Sequence, residues 1–337
     1  MSHHAGVDLR GLYERAREGG YGFFASNVTH FDVLVGLLRG SDRADSDLVV
    51  QLGREEAAFF GDGDPAVGIR VFGGCLDAFA ARFDVEVFCN VDHVHLPEDD
   101  DFLTACLDSG VPDSVMVDAS AEPFERNVEL TREAVERADE AVLVEAELGR
   151  IAGVEGSTET PDDEAFYTDP DDAVEFVERT GCDLLAVSVG TQHGVASGRD
   201  LDVRPDIAAD IGRALADAGV DAFLVVHGAS GLADEQLAAL LDAGVVKFNK
   251  NTRYQYEYAR TAADFYHEHA DAVRPPDGVA DDRASFFAGS DWAPDKTYFH
   301  PHVVSNAARD RIADVMTGLC ELTGSAGESL RSNRANR

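Results

Sequence analysis

Eight times in succession the chain offers a short, largely apolar run followed by a stretch with helical spacing, and that alternation constrains the fold more than any other feature. The apolar runs lie at residues 21–28, 47–52, 85–93, 114–118, 142–149, 184–193, 223–228 and 245–249. Each is short and rich in β-branched or aromatic residues, the composition of buried strands. Helical segments are expected at residues 31–38, 65–83, 124–138 and 171–180 and from about residue 251. Strand–helix repetition of this kind builds a parallel sheet. An open doubly wound sheet is the rival to a closed (β/α)8, or TIM, barrel. The barrel is preferred because no Gly-x-Gly-x-x-Gly follows the first strand and every polar cluster falls at a strand's C-terminal end.

The frame around the repeat is simpler. An amphipathic helix at residues 7–19 is expected to cap the barrel bottom. The barrel domain is expected to span residues 1–273. A C-terminal extension, 274–337, opens with a Pro-, Asp- and Gly-rich segment and continues into a helix at 307–322. That extension is a candidate for subunit contact, and its last dozen residues read as disordered.

Composition excludes several functions. The chain carries 64 acidic against 28 basic residues, a net charge of −36, which argues against a nucleic-acid partner. Lysine occurs only at Lys247, Lys250 and Lys296, and the acids are spread along every helical segment. Such a solvated acidic surface suits concentrated salt, where the Debye length is about 3 Å or less. A halophilic protein is therefore expected. No apolar stretch approaches the roughly 20 residues of a membrane span. Met1-Ser2-His3-His4 has neither the basic nor the apolar region of a secretion signal, so a cytoplasmic location is expected. The five cysteines show no CxxC spacing and read as reduced thiols.

Chemistry concentrates at the strand ends. The third strand closes on Asp92-His93, where unpaired polar groups would cost roughly 2–7 kcal/mol if buried. Taken alone, that pair could be satisfied by loop backbone. Two further strands end the same way, at His193 and His227. Three neutral imidazoles leaving one open position form a known catalytic zinc site. Asn27, Asp118, Glu147, Glu155 and Asn249 gather at the same mouth, with Glu145 and Glu147 on one strand face. The turns His227-Gly228-Ala229-Ser230-Gly231 and Asn249-Lys250-Asn251-Thr252 lead into helix N-termini after the last two strands, where barrels commonly hold phosphate. His3, His4, His30, His267 and His269 read as surface residues.

These pieces, taken with Ser114-Val115-Met116-Val117-Asp118-Ala119-Ser120, Glu145-Ala146-Glu147-Leu148-Gly149, Gly153-Val154-Glu155-Gly156 and His193-Gly194-Val195, resemble the class II metal-dependent fructose-bisphosphate aldolases across about residues 20–260. The resemblance implies an oligomeric barrel lyase that reversibly joins dihydroxyacetone phosphate to an aldehyde. It implies Zn2+ on His93, His193 and His227, and a second divalent or a monovalent cation served by Asp118 and Glu147. It further assigns Asp92 to the proton on the aldehyde oxygen and Glu155, in the long loop at 150–167, to the carbon-bound proton. Asn27, Gly194, Gly228, Ala229, Ser230, Asn249, Asn251 and Thr252 become substrate-binding residues.

The chain also departs from the family. Ser197 stands where many members have lysine, His300-Pro301-His302 and Asn306 replace an arginine-bearing stretch, and Gly53-Arg54-Glu55-Glu56 places new charge near the mouth. Two rival readings remain open: a Schiff-base aldolase using Lys247 or Lys250, and a catalytically silent sugar-phosphate-binding barrel.

Overall fold

The computed structural model describes residues 9–149, 167–192, 194 and 201–331. Its centre is a closed barrel of eight parallel strands in sequential order, β1 to β8, with β8 pairing back onto β1. The strands are β1 (Phe23–Asn27), β2 (Leu48–Leu52), β3 (Val87–His95), β4 (Ser114–Asp118), β5 (Leu143–Leu148), β6 (Leu184–Val187), β7 (Phe223–Val226) and β8 (Val245–Lys250). The expected (β/α)8 barrel is present.

Thirteen α-helices, and one 3-10 turn at Ala229–Gly231, are assigned among the described residues. They are α1 (Leu9–Gly19), α2 (Phe31–Ala44), α3 (Arg54–Phe60), α4 (Pro65–Ala80), α5 (Asp100–Ser109), α6 (Phe124–Arg137) and α7 (Pro170–Thr180). After these come α8 (Pro205–Ala218), α9 (Asp234–Asp242), α10 (Thr252–Glu268), α11 (Ala270–Val273), α12 (Lys296–Phe299) and α13 (Pro301–Thr323). The sequence did not announce α3, which follows Gly53 at its N-terminal cap, where the Glu56 carboxylate accepts from the Gly53 N–H at 3.0 Å. Among the described residues no helix is long and apolar enough to cross a membrane.

Strand alternation divides the core in two. Outward residues such as Val50, Cys89, Val117 and Val226 pack beneath the helices. Inward residues Phe23, Val49, Phe88, Leu143, Leu184 and Phe223 fill the barrel's lower layers and meet Leu9, Leu12, Tyr13 and Ala16 of α1, the expected cap. The upper inward positions are polar instead. Asn27, Gln51, Asn90 and Ser114 are neighbours in register across β1 to β4. They form a continuous belt, with Gln51 Nε2 donating to Asn27 Oδ1 at 2.7 Å, Asn90 Nδ2 to Gln51 Oε1 at 3.1 Å and Ser114 Oγ to Asn90 Oδ1 at 2.7 Å.

The C-terminal helix begins six residues earlier than expected, at Pro301, and lies against α2. Close approach explains Gly36 and Gly40 on α2, where an added Cβ would come within 2.6 Å of Ile312 and Met316 respectively. Part of the last dozen residues, where disorder is expected, makes defined contacts. Ser329 and Leu330 are buried, and both donate to the Asp47 carboxylate beneath β2, at 2.9 and 3.0 Å. Residues 332–337 lie outside the described set.

Candidate active site

Period-two alternation alone would send Asp92 and His93 to opposite faces of the sheet. A register shift between Val91 and Val94 on β3, with His93 at φ 41°, brings both to the mouth. A non-glycine residue in that left-handed region costs about 1–3 kcal/mol, a cost commonly met at functional sites.

Asp92 is 2% exposed and held by three amides. Its Oδ2 accepts from Asn27 Nδ2 at 3.1 Å and Gln51 Nε2 at 2.9 Å, and its Oδ1 from Asn249 Nδ2 at 3.0 Å. The polar belt therefore fixes the carboxylate in one pose.

The imidazoles are oriented by carboxylates. His93 Nδ1 bonds Asp118 Oδ2 at 3.0 Å, and Asp118 Oδ1 accepts from the Ser120 N–H at 3.0 Å and hydroxyl at 2.7 Å. Burial acts to raise the Asp118 pKa, but hydrogen bonds from His93 and His95 hold it well below the usual carboxylate range. His227 Nε2 bonds Glu145 Oε1 at 2.8 Å, while Glu145 Oε2 takes the Lys247 ammonium at 2.5 Å. An ionised Glu145 can only accept, so the imidazole proton sits on Nε2 and Nδ1 turns toward the mouth.

The two rings meet edge to face with centroids 4.7 Å apart. Ligand atoms of Asp92, His93 and His227 lie within 4.8 Å of one another, as do those of His93, Asp118 and Glu147. Glu147 Oε2 is buried without a hydrogen bond among the described residues and sits 3.2 Å from His227 Nδ1. A proton on Nδ1 or a shared cation would satisfy this pair, and carboxylates bonded to the far side of each imidazole are the usual support of a metal centre. Burial acts to lower the His227 pKa, but Glu145 and Glu147 outweigh it and the net shift is upward. These residues fit a divalent metal. His193 and Glu155, expected here, lie outside the described residues.

A concavity at the mouth is lined by Asn27, Asp92, His93, Gly194, Gly228, Ser230, Asn249, Lys250, Asn251 and Thr252. Gly228 has φ 69°, and a Cβ there would lie 2.6 Å from the Gln192 carbonyl, so the turn admits glycine alone. Ala229 is buried just beneath, its carbonyl accepting from Lys250 Nζ at 2.9 Å.

The remaining expectations are only partly met. Lys247 is fully buried in its ion pair one layer below the mouth, a poor position for a Schiff base. Arg54 is engaged by Asp99 at 3.0 Å and Arg253 by Glu257 at 2.7 Å. Asn306 and His302 are exposed. His30, read as a surface residue, caps α2 by accepting from the Asp32 N–H at 3.1 Å. Sequence reasoning missed Gln51 as part of the site and met Lys250 only within the phosphate turn and the rival Schiff-base reading. Inward parity signals Gln51, two positions beyond Val49.

A parallel barrel with imidazoles and carboxylates converging at its C-terminal mouth defines a barrel enzyme. Its sequence matches the family described as fructose-bisphosphate aldolase class-II over residues 7–328, and the chain belongs to that family of lyases. It is 34% identical over 251 residues to the uncharacterized protein YdjI of Escherichia coli (strain K12), covering 73% of this chain and 82% of that protein. It is 30% identical over 300 residues to a fructose-bisphosphate aldolase of Streptomyces coelicolor, covering 82% and 88%. The crystal structure of the YdjI aldolase from Escherichia coli K12 superposes with a TM-score of 0.69 at 27% identity, covering 96% of this chain and 99% of that one. Fructose-bisphosphate aldolase from Campylobacter jejuni shares the fold, with a TM-score of 0.80 at 20% identity over 96% and 97% of the two chains.

Proposed function

We propose that this enzyme is a zinc-dependent aldolase cleaving a ketose bisphosphate, fructose 1,6-bisphosphate foremost, to dihydroxyacetone phosphate and an aldehyde. The observation that supports this reading best is the pairing of His93 and His227, each bonded to a carboxylate on one side and turned toward shared space beside Asp92 on the other. His193 would complete the ligand set, with Asp118 and Glu147 serving a second cation position. A bound zinc ion would act as a Lewis acid on the ketone, raising the acidity of the adjacent C–H.

The protein's own groups divide the proton work. Asp92, immobilised by Asn27, Gln51 and Asn249, holds or releases the proton on the aldehyde oxygen. Glu155 is the base for the carbon-bound proton. The turns at 228–231 and 249–252 hold the ketone-side phosphate through backbone N–H groups and the N-terminus of α10. The acidic composition supports salt adaptation, and the reading takes the enzyme to be a cytoplasmic homo-oligomer. The test is cleavage of fructose 1,6-bisphosphate and its C4 epimer in concentrated salt, with and without EDTA. Chelator-sensitive cleavage of either supports the reading; substrate binding without cleavage, or full activity in metal-free protein, rejects it.

A further inference from the structure

Behind the phosphate turns, on the outer side of the barrel, lies a second cavity of about 390 Å3 bounded by the turn after β7, α9, α10 and α13. Its apolar walls include Phe24, Leu237, Val315 and Leu319, and three cations, Lys250, Arg253 and Arg311, reach it. In a chain of net charge −36 that concentration is unusual. Arg253 and Arg311 share a single carboxylate, Glu257, bonded at 2.7 Å by each. Of the acids on the wall, Asp314 is taken by Arg43 at 3.0 Å, and Asp234 leaves one positive charge in excess.

Lys250 stands between the two cavities. It lines the mouth and the outer cavity alike and is 7% exposed. Its ammonium lies 4.6 Å from the centre of the Phe24 ring and bonds the Ala229 carbonyl, with no carboxylate paired to it among the described residues. An ammonium has three donors, and one backbone acceptor leaves capacity for an anion. Burial pushes its pKa down to about 8, the mark of a cation short of negative partners.

Gly318 supplies a separate observation. It lies on α13 in the cavity wall, and a Cβ there would meet nothing within 4 Å. A larger side chain at this position has room to enter the cavity.

We propose that this outer cavity is a second ligand site, for a small organic anion carrying an apolar body, and that Lys250 links its occupancy to the phosphate turn. The anionic group meets Lys250 and the arginines while the apolar body lies on Leu237, Val315 and Leu319. An anion there draws the Lys250 ammonium outward, away from the Ala229 carbonyl, which loosens the turn and weakens phosphate binding at the mouth. That linkage, though not the site itself, rests on the phosphate role given to the turn under Proposed function.

The probe is 8-anilinonaphthalene-1-sulfonate, followed by its fluorescence on the full-length chain. One saturable site per chain is expected in wild type. Gly318→Phe, which fills the cavity, should weaken it about tenfold or more. Gly318→Leu serves as a second, smaller plug, and a thermal melt at or above wild type shows that each variant folds. Calorimetric affinity for inorganic phosphate should fall about fivefold with dye bound to wild type. Whatever their own phosphate affinity, Gly318→Phe and Lys250→Met should show no such response to the dye. Absence of saturable dye binding, wild-type affinity in both folded plug variants, or phosphate affinity indifferent to the dye overturns the proposal. Neither measurement needs turnover, so an inactive aldolase would reject the catalytic reading and leave this one standing.

Discussion

Lys247→Met isolates the ion pair beneath the candidate metal centre. Lys247 and Glu145 are both without solvent exposure, and the carboxylate also holds His227. Burial acts to raise the Glu145 pKa, but Lys247 and His227 more than reverse this, from an ordinary 4.5 to about 2. At about 1.4 kcal/mol per tenfold, that depression corresponds to about 3 kcal/mol. Breaking a buried pair by removing one partner costs about 3–5 kcal/mol by an independent measure. Because the folded-state pKa is depressed, the stabilisation is complete above pH 4.5 and is lost as pH falls toward 2. Urea unfolding of EDTA-treated protein, so that no metal contributes, should show Lys247→Met destabilised by about 3 kcal/mol at pH 7. The gap should narrow below pH 4.5. Adding Glu145→Gln to Lys247→Met should recover much of the loss. With Glu145 no longer fixed, His227 loses its orienting partner, and metal affinity should fall about 10- to 100-fold. A Lys247→Met protein within about 1 kcal/mol of wild type at pH 7 would refute the energetic role given to the pair.

Three other outcomes are expected. His93→Ala, His193→Ala and His227→Ala should each lower metal content measured by mass spectrometry, and wild-type content in all three would show that the ligands lie elsewhere. Glu155→Ala should suppress deuterium exchange at the carbon of dihydroxyacetone phosphate while Asp92→Ala impairs carbon–carbon cleavage more; unchanged exchange in Glu155→Ala removes that residue from the role of base. Since Arg54 and Arg253 are already engaged by acids, condensation should prefer glyceraldehyde 3-phosphate over glyceraldehyde by well under a thousandfold, about 4 kcal/mol, and a larger preference would reveal a cation at the aldehyde end.

The barrel was legible because each strand's outward face must be apolar beneath a helix, which leaves an unbroken record in the sequence. His93 and His227 were legible because imidazoles at strand tips have few structural uses. Gln51 was not, since a lone amide in Leu48-Val49-Val50-Gln51-Leu52 gains meaning only when register places it between Asn27 and Asn90. Lys247 hid for the same reason, as its partner Glu145 is three strands away and 102 residues earlier. Asp92 and His93 reached one mouth through a bulge that alternation cannot foresee. The tail's polar sequence concealed its anchorage because the receiving acid, Asp47, lies far back in the chain.

That anchorage bears on synthesis. A nascent chain emerges with β1 and β2 ahead of β8, yet β1 lacks its second neighbour until β8 is made, and Asp47 lacks Ser329 and Leu330 until more than 280 further residues have followed it. Ser26 likewise waits 228 residues for the Tyr254 hydroxyl it meets at 2.9 Å. Early strands therefore spend most of translation with open edges, the condition in which chains associate wrongly. A chain cut short before Ser329 would be a polypeptide that can form the barrel but cannot latch its first half, and its penalty should appear in the yield of newly made protein.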